Sequence, residues 1–378
     1  MPGRSTGLNI DVYSSILASL RYGTSTLRIL IPILGFGPMG GFRVLAQLAN
    51  SWVDAGHEVA FLVPETSLPP YHIPNAAILY VDSAGVECVY QKSAEIRRKA
   101  TGFDNARSIR NALYRIEKDF DVIFSDNSIA IFAAMLAGVC KNKVYYYNQS
   151  DEVITQNFFR VPFKHIIART ALIWSRNIIS NSPNYPKKGV EIIYPGVDCE
   201  IFHNNRNNPL ISKNIVLGTV GRKEPYKGTK YVLDAAKILH ESGLNFKLRV
   251  ALGNLPDDTN ESYIEIVDIE NDYDLSEFYR SLDILLVGCI GQHGAPHYPL
   301  IEGMACGTPV VHTGYYPGTS ENSWIATPSD AQSLADTVDK LSRDEMKFKK
   351  IDLANIFVKE SLSWNKIAGR FLNIFSGT

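Results

Sequence analysis

The sequence predicts an α/β protein of two successive domains, each built on a parallel sheet. Three observations carry that reading. At 378 residues the chain is long for a single hydrophobic core. Strand and helix signals alternate from residue 27 onward, and the alternation opens afresh at residue 215. Between the two openings, residues 198–212 are polar and asparagine-rich (Asn204, Asn205, Asn207, Asn208), with Pro209, as expected of a linker. The division that follows is an extension over 1–26, a first domain over 27–203, a second over 204–361, and a last helix within 362–378 packing back onto the first domain.

In the first unit, the short apolar run 27–34 reads as a strand buried on both faces. A glycine-rich loop (35–41), an amphipathic helix (42–55) closed by Gly56, and a strand (58–63) follow. Later strands are expected over 122–125, 144–147, 177–180 and 192–194, with helices over 104–118 and 130–137. In the second unit a strand (215–220) leads through a polar loop (221–228) into a helix (229–241) that stops before Gly243. Strands over 247–251, 263–267, 284–287 and 309–312 and helices over 276–281, 299–305 and 364–375 complete the pattern. The extension is Ser/Thr/Gly-rich and reads as a short helix over 12–22, capped by Asp11.

Composition is that of an ordinary soluble chain, with 45% hydrophobic and 20% charged residues. The net charge of -1 hides an asymmetry: residues 1–189 hold 20 Lys and Arg against 14 Asp and Glu, and the remainder 18 against 25. A basic first half suits an anionic acceptor or an acidic membrane surface, and chance scatter explains it equally well. The five cysteines (Cys88, Cys140, Cys199, Cys289, Cys306) are widely spaced with no Cys-x-x-Cys pair, which argues against a disulfide framework or zinc site and for a reducing compartment. No apolar run is long enough to span a bilayer, and the first residues lack a signal-peptide core. A cytoplasmic protein is expected, with contact at the inner face of the membrane an option and no nucleic-acid partner.

Chemistry concentrates in the second unit. Gly221-Arg222-Lys223-Glu224-Pro225-Tyr226-Lys227-Gly228 lies between a strand and a helix. Cations there can meet a diphosphate at the carboxyl end of a parallel sheet. Arg222 can fork onto two phosphate oxygens, and Lys227 adds a point charge. The second segment is Pro299-Leu300-Ile301-Glu302-Gly303-Met304-Ala305-Cys306-Gly307-Thr308-Pro309-Val310-Val311. A helix starting after Pro299 would leave the N–H groups near Leu300 and Ile301 free for an anion. Glu302, read as first-turn, can accept from a ribose diol. Taken singly, the loop could be merely solvated and Glu302 could merely favour its helix dipole. The two segments lie at strand ends of one unit, which chance does not readily explain.

These residues resemble the retaining GT-B glycosyltransferases of family 4, the glycosyl transferases group 1. The match runs through Gly221-Arg222, Lys227-Gly228 and Glu302-Gly303-Met304-Ala305-Cys306-Gly307-Thr308-Pro309-Val310-Val311. It extends to the glycine loop before 42–59 and to the junction Tyr194-Pro195-Gly196-Val197-Asp198 with Ile201-Phe202. The resemblance implies the GT-B fold: two Rossmann-like domains facing across a cleft. It implies that Arg222 and Lys227 are catalytic, binding the donor diphosphate and offsetting charge on the leaving nucleotide. Glu302 would bind the ribose, Leu300 and Ile301 would offer amides, and Gly221 would line the donor site. Gly40 and Gly41 would let the first-domain loop approach donor and acceptor. Neither cofactor nor metal is implied; the partners are a nucleotide-sugar donor and a glycan or lipid-linked acceptor, in polysaccharide or glycoconjugate synthesis.

One departure stands out. The family's Glu-x7-Glu motif would put an acid at position 294, where this chain has Gly294. Gly294 and Ala295 could expose backbone amides to sugar hydroxyls, and His297 could face the sugar, although a lone loop histidine is more often structural. The text around His297-Tyr298-Pro299 and Tyr145-Tyr146-Tyr147-Asn148-Gln149-Ser150-Asp151-Glu152 is similar to branches acting on deoxysugars such as rhamnose. Asn148 or Gln149 stands where many relatives carry a histidine on the acceptor wall.

Two other functions compete. Gly35-x-Gly37-x-x-Gly40, with Glu65 after the next strand, imitates a dinucleotide fingerprint and suggests an NAD-dependent oxidoreductase or epimerase; Pro38 intrudes, and Arg222, Lys227 and Glu302 stay unexplained. With Gly294 in place of an acid, a non-catalytic nucleotide-sugar-binding subunit is the other rival. Asp272-Tyr273-Asp274 imitates a metal-binding pair, but Asp274 with Glu277 reads better as a helix cap. The basic stretch 158–176 mixes cations with Phe158, Phe159, Phe163, Ile166, Ile167 and Trp174. It suits either an anionic bilayer or an ordinary helix with a core face and a wet face, and the second is favoured.

Overall fold

The computed structural model describes residues 26–377 except 38–39, 71, 73, 91–100, 150–161, 185–189, 206–213, 256–258 and 292–294. The extension helix, Gly294, Ser150, Asp151, Glu152 and part of the linker lie outside the described residues. The first sheet is formed by β1 (Arg28–Pro32), β2 (Glu58–Pro64), β3 (Ala77–Val81), β4 (Val122–Ser125), β5 (Val144–Asn148), β6 (Asn177–Ser180) and β7 (Glu191–Ile192). Its helices are α1 (Gly40–Asp54), α2 (Gly102–Ile116), α3 (Ser128–Leu136) and α4 (Pro162–Trp174). All strands run parallel, in the order β3-β2-β1-β4-β5-β6-β7. The order reverses between β1 and β4.

The second sheet repeats the plan. It contains β8 (Ile215–Val220), β9 (Phe246–Ala251), β10 (Ile264–Val267), β11 (Ile284–Val287), β12 (Val310–His312) and β13 (Trp324–Ile325). The order is β10-β9-β8-β11-β12-β13, again parallel. Its helices are α5 (Thr229–Glu241), α6 (Asp272–Arg280), α7 (Tyr298–Ala305), α8 (Ala331–Arg343) and α9 (Lys347–Ser361). The expected strand-and-helix alternation is therefore present in two Rossmann-like units. Boundaries shift where caps decide them: Thr101 and Asp104 close a capping box at α2, and Asn127 caps α3 two residues earlier than expected. Asn271, not Asp274, caps α6 by accepting from the Tyr273 and Asp274 amides. Among the described residues, no helix is long and apolar enough to cross a membrane.

A final helix, α10 (Trp364–Ser376), returns to the first domain and packs against α1. The Trp52 indole N–H donates to the Ala368 carbonyl at 3.2 Å. Around it, Phe371 and Phe375 meet Trp52, Phe124, Tyr145 and Tyr147, with ring centroids 4.7–5.9 Å apart and mostly edge-to-face. The chain crosses back beside Gly196, where any Cβ would meet the Trp364 ring at 2.8 Å. Phe371 is fully buried. Replacing it with alanine should destabilise the protein by about 3–5 kcal/mol, read as a lower urea midpoint.

Candidate active site

Parallel sheets bind ligands outside their carboxyl ends, where strand order reverses. In the first domain that point lies between β1 and β4. A cleft of about 360 Å³ opens there, lined by Leu34, Gly41, Asp126, Asn127, Gln149 and Asn181 of the first domain and by Pro296 and Tyr298 of the second, among others. Gly40 and Gly41 belong to the first turn of α1 rather than to the preceding loop. Gly41 lies close to the cleft wall: a Cβ there would meet Asp126 Oδ2 at 3.3 Å and Gln149 Nε2 at 3.5 Å. Gln149 Nε2 donates to Asp126 Oδ2 at 2.9 Å and to the Gly41 carbonyl at 3.2 Å. Sequence reasoning passed over Asp126, although its place directly after β4 marks it.

In the second domain the switch point lies between β8 and β11, and the loop 221–228 fills it. The Gly221 amide donates to the Ala251 carbonyl, and the Arg222 amide to the Thr229 hydroxyl, which donates back to the Arg222 carbonyl. Gly228 has φ +72°, and any side chain there would collide with the Gly288 carbonyl. These bonds fix the loop backbone and leave the Arg222 side chain exposed. Burial lowers the Lys227 pKa, with Arg222 adding to the effect and Cys289 opposing it.

His297 lies within the field of both cations. Burial first, then Lys227 and Arg222, push its pKa down to about 3, so the imidazole is neutral at ordinary pH. Among the described residues, neither ring nitrogen has a hydrogen-bond partner. Asn148 Oδ1 and the Tyr298 hydroxyl are likewise buried and unpartnered. Buried polar atoms are normally satisfied, so these orphans need an explanation; Tyr298 lines the cleft, and Asn148 and His297 each adjoin residues in sequence that line it. Ala295, beside the segment that holds Gly294, is half-buried.

α7 departs from expectation. It begins at Tyr298, and the Leu300 and Ile301 amides both donate to the His297 carbonyl, so they are already engaged. Glu302 consequently falls beyond the first turn and points into the interior, 2% exposed. Its carboxylate accepts from the Tyr279 hydroxyl at 2.9 Å and faces Arg43 of the first domain at 3.5 Å. Arg43 also pairs with Asp272 at 2.8 Å and lies 5.5 Å from the Tyr298 ring centre. Burial works against the Arg43 charge, but Glu302 and Asp272 outweigh it and raise its pKa. Burial raises the Glu302 pKa against the pull of Arg43 and Tyr279. Arg222 and Lys227 thus act on His297, while Glu302 stands in an ion cluster with Arg43 and Asp272.

Comparison with known proteins decides the family. A model described as Glycosyltransferase Family 4 matches residues 39–201, and one described as Glycosyl transferases group 1 matches residues 214–344. Between them they take in both domains. The chain belongs to the family 4, group 1 glycosyltransferases. Its fold is GT-B, as three solved structures show. Sucrose-phosphate synthase from Thermosynechococcus elongatus has a TM-score of 0.69 at 15% identity, covering 93% of this chain and 99% of that one. HepE from Anabaena, solved with UDP, has 0.67 at 14%, covering 93% and 100%. The catalytic domain of starch synthase IV from Arabidopsis thaliana, bound to ADP and acarbose, has 0.64 at 12%, covering 93% and 99%. No curated protein sequence matches this glycosyltransferase significantly.

Two outcomes test the site's electrostatics. Arg43→Met should destabilise the fold by about 3–5 kcal/mol by stranding the Glu302 charge, and markedly less in a Glu302→Gln background, in a urea-melt double-mutant cycle. The His297 pKa in the fold, about 3, lies below its ordinary 6.5, so the neutral ring's contribution is full above pH 6.5 and lost as pH falls toward 3. His297→Gln should flatten the fall in melting temperature across that window.

Proposed function

We propose that this glycosyltransferase moves a hexose or deoxyhexose from a nucleotide-diphosphate sugar to a glycan or lipid-linked acceptor in surface polysaccharide or glycoconjugate synthesis. The observation that carries this reading is the grouping of Arg222, Lys227 and the unpartnered, neutral His297 at the carboxyl end of the second sheet. UDP in HepE and ADP in starch synthase IV support a nucleoside diphosphate as the ligand of this fold.

In the reaction we assign, the bond from the anomeric carbon to phosphate breaks, and the nucleotide leaves with the electron pair. Arg222 and Lys227 meet that charge, which is why we assign no metal to the step. The acceptor oxygen bonds to the anomeric carbon with retention, on the face the nucleotide leaves. Its proton passes to the departing phosphate oxygen. Burial lowers the Lys227 pKa, and a bound diphosphate would oppose that shift. His297 would donate to or accept from the donor without adding charge. Gly221, Gly294 and Ala295 would line the donor with backbone, while Gly40, Gly41, Asn148 and Gln149 would form the acceptor wall beside Asp126. Glu302 would reach a ribose only if Arg43 released it, so nucleotide binding is proposed to compete with that ion pair. We assign this action to the cytoplasm, as the odd number and wide spacing of the cysteines, without a Cys-x-x-Cys pair, lead us to expect.

A thermal-shift screen against UDP-, GDP-, ADP- and dTDP-sugars should give a rise with one nucleotide class. With that donor, Arg222→Ala and Lys227→Ala should each lower kcat/KM by about 100-fold or more without lowering the melting temperature. Unchanged turnover in both would remove their role. Donor binding with no transfer to any glycan or lipid-linked acceptor would leave a binding subunit.

A further inference from the structure

Surface helices usually turn polar residues to water. α4 does not. Its buried side chains are Ile167, Ala168 and Ala171, and its outer stripe carries Phe163 (55% exposed), Ile166 (53%) and Ile173 (73%). The helix contains no acid, and Lys164 and Arg169 lie on the exposed side. The wet face expected of an ordinary helix is therefore apolar and cationic.

The pattern spreads to the neighbouring helices. α2, α3 and α4 lie side by side over one face of the first sheet. On α2, Phe103, Arg107, Arg110 and Tyr114 form one exposed stripe, with Arg115 beside it. Phe103 meets Phe163 of α4 with ring centroids 5.2 Å apart. Leu136, at the end of α3, shares a shallow groove with Arg107, Arg110, Tyr114 and Arg115. The acid of α2, Asp104, is held in its capping box by Thr101.

We propose that this face docks on an anionic lipid bilayer. Its charge complements phosphate headgroups, and the cations alternate with aromatic and branched side chains of a length that reaches the headgroup–acyl boundary. Spread over three crests rather than gathered in a pocket, the apolar groups suit a fluid surface better than one protein side chain. The orientation also serves the site. α2 and α4 start at the carboxyl edge of the sheet, and Asn105 donates to the carbonyl of Leu34, which lines the cleft. The Phe103–Phe163 pair thus sits at the rim of the edge that carries the acceptor wall. The inference deepens the acceptor side of the proposed function, and it rests on the exposed face rather than on the transfer chemistry.

The test is co-sedimentation of the full chain with vesicles of phosphatidylcholine alone or mixed equally with phosphatidylglycerol, at low and high salt. Binding should require phosphatidylglycerol and fall with salt. Arg107→Glu/Arg110→Glu and Phe163→Ser/Ile173→Ser should each weaken it by roughly tenfold or more. Melting temperature and the nucleotide thermal shift should stay as in the parent, because the substituted side chains are exposed. Equal binding to both vesicle types, or binding unchanged by both variants, overturns the proposal. So does absence of vesicle binding, including with dimerisation that Phe163→Ser/Ile173→Ser abolishes, which would assign the face to a second copy of this chain.

Discussion

One guanidinium ties the two domains together at the cleft. Arg43 stands in the second turn of the first domain's opening helix, and its two carboxylate partners, Asp272 and Glu302, both belong to the other domain. Water is largely excluded from Arg43 and Glu302, so neither could be left alone without a large desolvation penalty, while Asp272 stays partly exposed. The spacing between the sheets, the inward turn of Glu302 and the placing of Tyr298 on the cleft floor are all consistent with that need. Tyr279, fully buried, completes the arrangement by giving Glu302 a second donor.

Opposite this ionic cluster the donor side is built differently. Charge is concentrated in Arg222 and Lys227 on a loop whose backbone is fixed at Gly221, Thr229 and Gly228. The neighbouring imidazole is held neutral and lacks partners. Such an assembly loses little by reorganising when an anion arrives, because the dipoles and cations are already in position. Polar atoms left unsatisfied in the interior are tolerated where a ligand completes them.

The fold was legible because its signals are local. Strands buried on both faces leave short apolar runs, and a polar or glycine cap such as Thr101, Asn127, Gly228, Asn271 or Asp330 marks many of the turns into a helix. The family was legible for the same reason, since its motif is two continuous segments of the second domain. What escaped is non-local. Arg43 and Asp272 lie 229 residues apart, and nothing in either neighbourhood announces the other. Asp126 follows a strand without any motif around it. Leu300 and Ile301 looked free because the helix was started one residue late, and that residue's predecessor, His297, accepts both amides. On α4 the periodicity was plain, but which stripe faced inward depends on its packing against α3, a non-local contact that buries Ile167, Ala168 and Ala171.

The aromatic nest around Trp52 sets the order in which the molecule can be finished. Trp52 and Ala368 are 316 positions apart, with the entire second sheet strung between them. Joining such distant points adds only a logarithmic entropy term, so the thermodynamic burden is slight. The kinetic burden is not: the domain that emerges first from the ribosome keeps Phe124, Tyr145 and Tyr147 uncovered until the one behind it has been made. The first domain's core is therefore complete only once the last helix has been made, and until then its uncovered aromatic surface is exposed to aggregation.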